Sequence, residues 1–434
     1  MVAARGVRLA QVVTVVGMAA PLLLVDRGRE AWATIACHLT ATAGFLVLAA
    51  AVLRGTYRPR AAEAFVFAVA LGAVSLALTP RLSDDIHRYV FEGRLVCAGV
   101  NPYLTPPDAP EVAHLRDASW QCINHKEIPA AYPPAVQLAL AVAATVSPTP
   151  FGPKLVFALC AFAAFAALWH FLPRLGLPAQ HAVLFGWCPL LWLECAGEGH
   201  SDALAALATV LALWASTCAW PLLAGGCLGL ATASKFLPAV LLPFLARRSR
   251  RVWLGFVVVL FAVYAPFVAD PRAMFAGALE YTARWRANDS AFAAVHWLTE
   301  SVMSPWRAGG GYAGWLAGCE VQRLAKLPLA LLGVCLLARC WRRQESPERT
   351  AFVFFAFFVA CAPTLHPWYV VLLLPWLCMR PSLWLLAFTG TVALAYHVLP
   401  AFHASGAWHE STAVKVLEYA PFYGGLLWAA GTHA

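Results

Sequence analysis

Long apolar runs recur along the whole chain, and they limit the folds that it can adopt. Each run extends over roughly 17 to 25 residues, which is enough for a helix to cross a hydrocarbon core of about 30 Å. Hydrophobic residues make up 61% of the sequence and charged residues only 12%, whereas soluble domains carry about 25% charged residues. Because backbone groups in lipid must bond within their own segment, we predict an all-α, polytopic integral membrane protein with about 12 (11–14) transmembrane helices.

Arginines cluster in three short turns between apolar runs. They are Arg54, Arg58 and Arg60, then Arg247, Arg248, Arg250 and Arg251, then Arg339, Arg342, Arg343 and Arg349. The positive-inside rule assigns such turns to the cytoplasm, which accounts for the net charge of +9 without nucleic acid. The first three spans, about 7–25, 32–53 and 61–80, then place a large extracytoplasmic loop at residues 81–133 and a second at residues 270–310. We interpret the first run as a retained anchor rather than a secretory signal.

The middle of the chain gives a less regular pattern. Its apolar segments are short and broken by proline and glycine, at about 134–147, 154–172, 180–195, 203–219 and 222–246. Counting each as a span puts residues 197–202 in the cytoplasm, away from the first loop. A re-entrant segment lining a cavity would change that count, so the sequence leaves it open. Since no repeat or low-complexity linker divides residues 1–434, we treat them as one domain.

The first loop carries a dense group of ionisable residues in the run SDDIHRYVFEGR. Helical spacing places Asp84, Arg88 and Glu92 on one face. A carboxylate of Asp84 or Asp85 at a low-dielectric boundary can act as a general base, while arginines hold an anionic group. The alternative interpretation is a solvated helix start with Ser83 or Asp84 as the N-cap.

Two further candidate groups lie where the middle segments are interrupted. His200 and Asp202 follow glycines in GEGHSD, where a capped helix start is the alternative to a substrate site. Lys235 lies deep in an apolar run, where a lone ammonium must either snorkel to an interface or find an anion. We favour phosphate binding for this lysine.

Basic and aromatic residues of the later segments complete the set. Arg284 and Arg286 flank Trp285, a pattern that suits both phosphate recognition and interface anchoring. The turn HPWY places His366 at the mouth of a span, where a structural histidine is the alternative to a functional one.

Thirteen cysteines are scattered along the chain without the spacing of metal ligands. Cys97 and Cys122 both lie in the first loop. A disulfide between them would need an oxidising compartment, and the sequence leaves this pairing open.

Taken in order, these motifs resemble bacterial GT-C glycosyltransferases that use polyprenyl-phosphate sugars, in particular a mannosyltransferase group. The resemblance rests on DDIHRYVFEGRLVCAGVNPY, the Tyr132-Pro-Pro re-entry, GHSDAL, the lysine followed by a proline, and HPWY, within roughly residues 80 to 380. Two positions depart from the pattern. Relatives often carry an aromatic-Asp-Gly-Arg tetrad where this chain has Glu92 as the acid, and many carry Asn in place of Ser201.

The resemblance implies a GT-C-like bundle at the bacterial cytoplasmic (inner) membrane, with its active site facing the periplasm. Asp84 or Asp85 would act as the base in one inverting displacement, which moves mannose from a polyprenyl-phosphate donor to a glycan or lipid hydroxyl. The residues implied for the donor phosphate and sugar are Arg88, Glu92, Arg94, Tyr103, His200, Asp202, Lys235, Arg284, Arg286, His366 and Tyr369.

No cofactor or metal is required by this interpretation, although two adjacent carboxylates leave weak binding of a divalent cation open. One rival is a secondary transporter, which would place ionisable residues near the midplane of two related halves. No second half echoes the first here. Another rival is a membrane acyltransferase or polysaccharide ligase that uses His200 or His366, and it would not need Asp84 and Asp85.

Overall fold

A computed structural model describes residues 2–23, 30–308 and 321–431 of the chain. The longer helices are α1 Val2–Ala19, α2 Glu30–Leu53, α3 Ala61–Leu76, α4 Asp85–Cys97, α5 Pro134–Val146, α6 Phe151–Phe171, α7 Asp202–Thr217, α8 Pro221–Ser234, α9 Arg251–Tyr264, α10 Pro271–Arg284, α11 Ala291–Ala308, α12 Val321–Arg342, α13 Pro347–Cys361, α14 Leu383–Thr391 and α15 Thr412–Gly431. Short helical turns connect several of them, at Ala20–Leu23, Pro110–Leu115, Ala118–Gln121, Leu172–Leu175, Ala179–Ala182, Val183–Gly186, Pro189–Trp192, Leu193–Gly197, Leu237–Leu241, Leu242–Ala246, Ala265–Phe267, Pro367–Leu372, Leu374–Met379, Val392–Val398 and Leu399–Ser405.

The described residues contain no strand, and the only β-type pairing among them is a single bridge between Ala287 and Thr364. The all-α prediction is therefore confirmed. Several helices have the length and apolar composition typical of a membrane protein.

Five helical segments are long and apolar enough to cross a membrane: Arg5–Leu23, Glu30–Leu53, Phe151–Leu175, Val321–Arg342 and Leu383–Ser405. A sixth results if Arg251–Phe267 and Pro271–Ala283, which are bent by 96° at their junction, count as one. The remaining apolar helices have 10–17 residues. The count of about twelve spans stays a prediction.

The turn after residue 197 lies beside the start of the first loop, residues 81–133, which we call the acidic loop. Glu198 accepts hydrogen bonds from the backbone N–H groups of Arg81 and Leu82, at 3.0–3.2 Å. On α6, near its first residue, Lys154 donates to the carbonyl oxygen of Leu76 at 2.8 Å. The end of α3, the start of α6 and the start of α7 therefore meet at one end of the bundle, which we call the acidic end.

The second and third arginine turns meet at a different place, away from the acidic end. Near the last residue of α7, Ser216 lies 3.5 Å from the guanidinium of Arg248. Arg247 donates to the carbonyl oxygen of Trp341 at 2.7 Å and covers its ring at 3.7 Å. Helix α7 therefore runs from the acidic end to the arginine turns.

Helix α5 explains why simple counting failed for residues 197–202. It lies parallel to α4, because Gln137 near its start bonds Glu92 and Ala141 farther along contacts Cys97 near the end of α4. Helix α6 then begins again beside Leu76. Because α5 does not carry the chain to the opposite end of the bundle, the count that separated residues 197–202 from the acidic loop is wrong.

Helices α8 and α9 approach each other at glycines. A Cβ atom on Gly225 would lie 2.0 Å from the carbonyl oxygen of Val252, and one on Gly255 would lie 2.0 Å from that of Leu222. Both neighbours are backbone atoms, which cannot rotate away. Small residues of this kind let helix backbones approach closely in membrane proteins.

We expect Gly225→Ala to destabilise the protein by about 1–3 kcal/mol, because the added methyl group must push two helix backbones apart. Thermal unfolding in detergent would measure this loss. Gly424→Ala is the matched control, since the atom nearest to its added Cβ is 3.6 Å away on Trp384. Equal unfolding temperatures for the two variants would contradict the close approach of α8 and α9.

Candidate active site

Asp84 and Asp85 stand at the start of α4 with their carboxylates facing other parts of the chain. Asp84 occupies the N-cap position without a side-chain cap bond, and the Asp85 N–H donates instead to Ser83 Oγ at 3.2 Å. The Asp85 Oδ2 atom accepts from the Tyr132 hydroxyl at 2.9 Å. The Asp84 Oδ1 atom accepts from the Asn124 amide at 2.9 Å. Helix capping therefore does not occupy the two carboxylates.

The surroundings of this pair favour protonation. Burial, and then the negative charge of Asp84, raise the pKa of Asp85 to about 6. The hydrogen bond from Tyr132 and the charge of Arg88 oppose that rise. Burial likewise raises the pKa of Asp84. Carboxyl groups with such a raised pKa can take up and release a proton close to neutral pH.

Lys235 lies at the acidic end and is held in place from two directions. It follows the last residue of α8 in an extended conformation, which turns its side chain toward the start of α7. There its ammonium pairs with the buried carboxylate of Asp202, and it lies 3.7 Å from the ring centroid of Tyr369. The charge of Asp85 also acts on this ammonium. The structure therefore brings two other predicted residues, Asp202 and Tyr369, into contact with this cation.

Two histidines enclose the ring of Trp368. Its centroid lies 3.7 Å from that of His200, at an interplanar angle of 13°, and 4.2 Å from that of His366, at 6°. Two parallel rings this close cannot share one face of the indole, so they cover opposite faces. His200 is fully buried; its Nε2 atom lies 3.6 Å from the carboxylate of Glu194, and its Nδ1 atom has no hydrogen-bond partner among the described residues. Buried polar atoms without a partner are rare, so Nδ1 is the atom of this ring that a bound group could use.

Tyrosines form a wall that adjoins both Asp85, through Tyr132, and Lys235, through Tyr369. The hydroxyl of Tyr369 lies 2.8 Å from that of Tyr281, and the ring of Tyr89 meets that of Tyr132 edge-on at 5.1 Å. Tyr281 in turn stacks on Trp285 at 5.4 Å. The candidate active site is thus a group of charged residues enclosed by aromatic rings at the acidic end.

Several residues of this wall were not among the sequence candidates. Tyr132 belongs to the Tyr-Pro-Pro re-entry and Trp368 to the HPWY turn, but neither was a candidate in its own right. Asn124, which contacts Asp84, lies two residues after Cys122 and was not a candidate either. Tyr89 and Tyr281 carried no signal, because a single tyrosine in a helix is usually part of the core or the interface.

Arg88 and Arg94 bind the protein itself. Arg88 donates to the backbone carbonyls of Asn124, His125 and Ile128 at 2.7–3.0 Å, and it lies 3.6 Å from Glu92. Arg94 pairs with Asp117 at 2.6 Å and donates to the carbonyl of Pro148. In this structure both guanidiniums hold the acidic loop against α4 and α5.

The other candidates occupy separate positions. Glu92 is buried and accepts from Gln137 at 2.7 Å, and the Tyr103 hydroxyl donates to the carbonyl of Tyr132 at 2.6 Å. Arg286 pairs with Asp289, which also binds Lys415 of α15. The side chain of Arg284 lies outside the described part of the chain.

Cysteine and metal chemistry were the last open points. Cys97 and Cys122 are both exposed free thiols in the structure, so they do not form the disulfide that the sequence left open. In residues 2–23, 30–308 and 321–431 no group of three or more His, Cys, Asp or Glu side chains has an arrangement that could hold a metal ion.

Comparison with protein families gives a match. Residues 1–251 match a family model described as the alpha-(1->6)-mannopyranosyltransferase N-terminal domain. This segment is more than half of the chain and includes Asp84, Asp85, His200, Asp202 and Lys235. No curated protein matches the sequence.

We expect Lys235→Met to destabilise the fold by about 3–5 kcal/mol, because it leaves the buried carboxylate of Asp202 without its counter-charge. The double variant with Asp202→Asn should recover part of that loss, since it removes the unpaired charge as well. Thermal unfolding of the two purified proteins measures both effects. A double variant that is less stable than Lys235→Met would argue against a direct ion pair.

Proposed function

The chain belongs to the alpha-(1->6)-mannopyranosyltransferase family, and from that premise we propose the donor, the base and the face of the membrane for its reaction. As a member of the family it is a glycosyltransferase that transfers mannose. We propose that the donor is a polyprenyl-phosphate mannose and that the acceptor is a hydroxyl group of a glycan or lipid. The family description favours an α-1,6 linkage. The observation that carries the proposal is that Asp85 and Lys235 both adjoin the aromatic wall, Asp85 through the hydroxyl of Tyr132 and Lys235 through the ring of Tyr369.

Asp85 is the proposed general base. It removes the proton of the acceptor hydroxyl, whose oxygen then bonds the anomeric carbon of mannose. On the opposite side of that carbon the bond to the phosphate oxygen breaks, and the polyprenyl phosphate leaves with the electron pair. A β-linked donor therefore gives an α-linked product in one inverting step. Asp85 suits this role better than Asp84 because its carboxylate bonds Tyr132 of the aromatic wall, whereas the carboxylate of Asp84 bonds Asn124 in the loop.

Lys235 is the proposed partner of the departing phosphate. A leaving phosphate is stabilised by positive charge that is already in position, and the ammonium is fixed by Asp202 and Tyr369 before any ligand arrives. The Nδ1 atom of His200, which has no hydrogen-bond partner among the described residues, supplies an additional hydrogen bond. Arg88 and Arg94 are left out of this role, since their guanidiniums bind backbone carbonyls.

We place the reaction at the outer face of the cytoplasmic membrane, with the arginine turns on the inner side. The proposal requires no cofactor, because Lys235 supplies the positive charge.

The direct test is mannose transfer by membranes that contain each variant, with radiolabelled polyprenyl-phosphate mannose as the donor. Asp85→Asn should lower kcat by about 10²- to 10⁴-fold, the usual contribution of a general base. Asp108→Asn is the matched control, because Asp108 is an exposed aspartate of the same loop and should leave transfer unchanged.

Undiminished transfer by Asp85→Asn would end the assignment of this carboxylate as the base. Counterflow of a solute by purified protein without sugar transfer would favour a transporter instead.

The pH dependence of transfer gives a second test with a defined sign. The base must be unprotonated, so kcat/KM should rise with pH through about 6, the pKa of Asp85. The charge of Asp84 raises that pKa and the bond from Tyr132 lowers it. Asp84→Asn should therefore move the midpoint to lower pH and Tyr132→Phe to higher pH. If the two variants shift the midpoint in the same direction, another group controls the profile.

A further inference from the structure

Glu198 lies in the turn before α7 and binds the segment that leads into the aspartate pair. Both of its carboxylate oxygens accept from the N–H of Arg81, at 3.1 and 3.2 Å, and one also accepts from the N–H of Leu82 at 3.0 Å. It interacts with the N–H of Ser83 as well. Three successive backbone donors therefore converge on one buried side chain. The last of them directly precedes Asp84.

Lys154 completes this arrangement from α6. Its buried ammonium donates to the carbonyl oxygens of Leu76 and Leu78, where α3 ends. Its charge also acts on Glu198. The chain between α3 and α4 is thus bound at its carbonyls by a lysine and at its N–H groups by a glutamate.

The backbone of the same turn contacts the first residues of α4. Gly199 has a φ of +81°, and a Cβ atom on it would lie 2.5 Å from Ile86 Cδ1 and 3.3 Å from Lys154 Cγ. Only glycine allows this conformation and this close approach together. Ile86 directly follows Asp85, so the turn contacts α4 next to the aspartate pair.

We propose that Glu198 and Lys154 are positioning residues for mannose transfer, acting by fixing the backbone that carries Asp84 and Asp85. The inference rests on the proposed function of Asp85 as the base. Neither residue touches the reacting groups. Each satisfies backbone groups at a break between helices, and in doing so sets where the carboxylate of Asp85 stands relative to Lys235.

This role predicts a separation of kinetic effects. Glu198→Gln keeps the shape of the side chain but replaces one acceptor oxygen by an NH₂ group, which cannot accept from a backbone N–H. A displaced base should lower kcat by up to about 100-fold, with the donor KM changed much less. Lys154→Met should have the same effect. Because the two charges interact, the double variant should be no slower than the slower single variant.

Hydrogen–deuterium exchange provides a readout that does not depend on activity. In Glu198→Gln the amides of Arg81 and Leu82 lose an acceptor, so their exchange should accelerate while α7 stays protected. Glu63→Gln is the matched control, because Glu63 binds Tyr57 near the opposite end of α3. It should leave both exchange and kcat as in the unaltered protein.

The outcomes separate the two proposals. If Asp85→Asn abolishes transfer while Glu198→Gln retains full kcat and normal exchange at residues 81–82, the positioning role is wrong and the base assignment stands. If Asp85→Asn transfers normally, the base assignment fails, and faster exchange in Glu198→Gln still reports the backbone contact. Equal loss of protection throughout the protein would mean that Glu198 only stabilises the fold.

Discussion

Backbone groups at helix ends need partners when the helices stop inside an apolar bundle, and this requirement governs the acidic end of the molecule. Burying an unpaired N–H or C=O group costs about 1–3 kcal/mol, so charged side chains reach these ends from elsewhere in the chain. Glu198 takes the N–H groups after α3, Lys154 takes the carbonyls, and Arg88 takes the carbonyls of the acidic loop. Asp85, Asp202 and Lys235 lie at the same helix ends. The breaks between helices that need charged partners for their backbone groups are therefore also the places where the catalytic candidates enter the interior.

The charges at this end are arranged in pairs and small groups. Lys235 meets Asp202, and the charge of Asp85 reaches the same ammonium. Under the proposed function, the donor phosphate would meet an ammonium that is already paired with Asp202, rather than an unoccupied basic pocket. Asp202 would have to remain beside the lysine when the phosphate binds, because a buried carboxylate that loses its partner is costly.

The sequence predicted the helical character of the chain and singled out Asp85, Asp202 and Lys235 one by one, because each is an ionisable residue within or at the edge of an apolar run. It could not reveal what Arg88 binds. The spacing to Glu92 is correct, yet the carbonyls of residues 124–128 approach only through the tertiary fold. Counting spans misplaced residues 197–202 because of α5. This helix of 13 mostly apolar residues lies along α4, yet in sequence it looks the same as a short membrane crossing. Tyr281 was missed because nothing local distinguishes it.

The two halves of the chain contribute different parts of the site. The matched segment, residues 1–251, holds the aspartates and Lys235, whereas Tyr281 and the turn from His366 to Tyr369 come from the remainder. The ionic component therefore lies within the matched segment, whereas the aromatic wall is shared between that segment, through Tyr89 and Tyr132, and the remainder. A relative could keep the same acid and lysine and exchange the later segment, and so accept a different sugar or acceptor with the same chemistry.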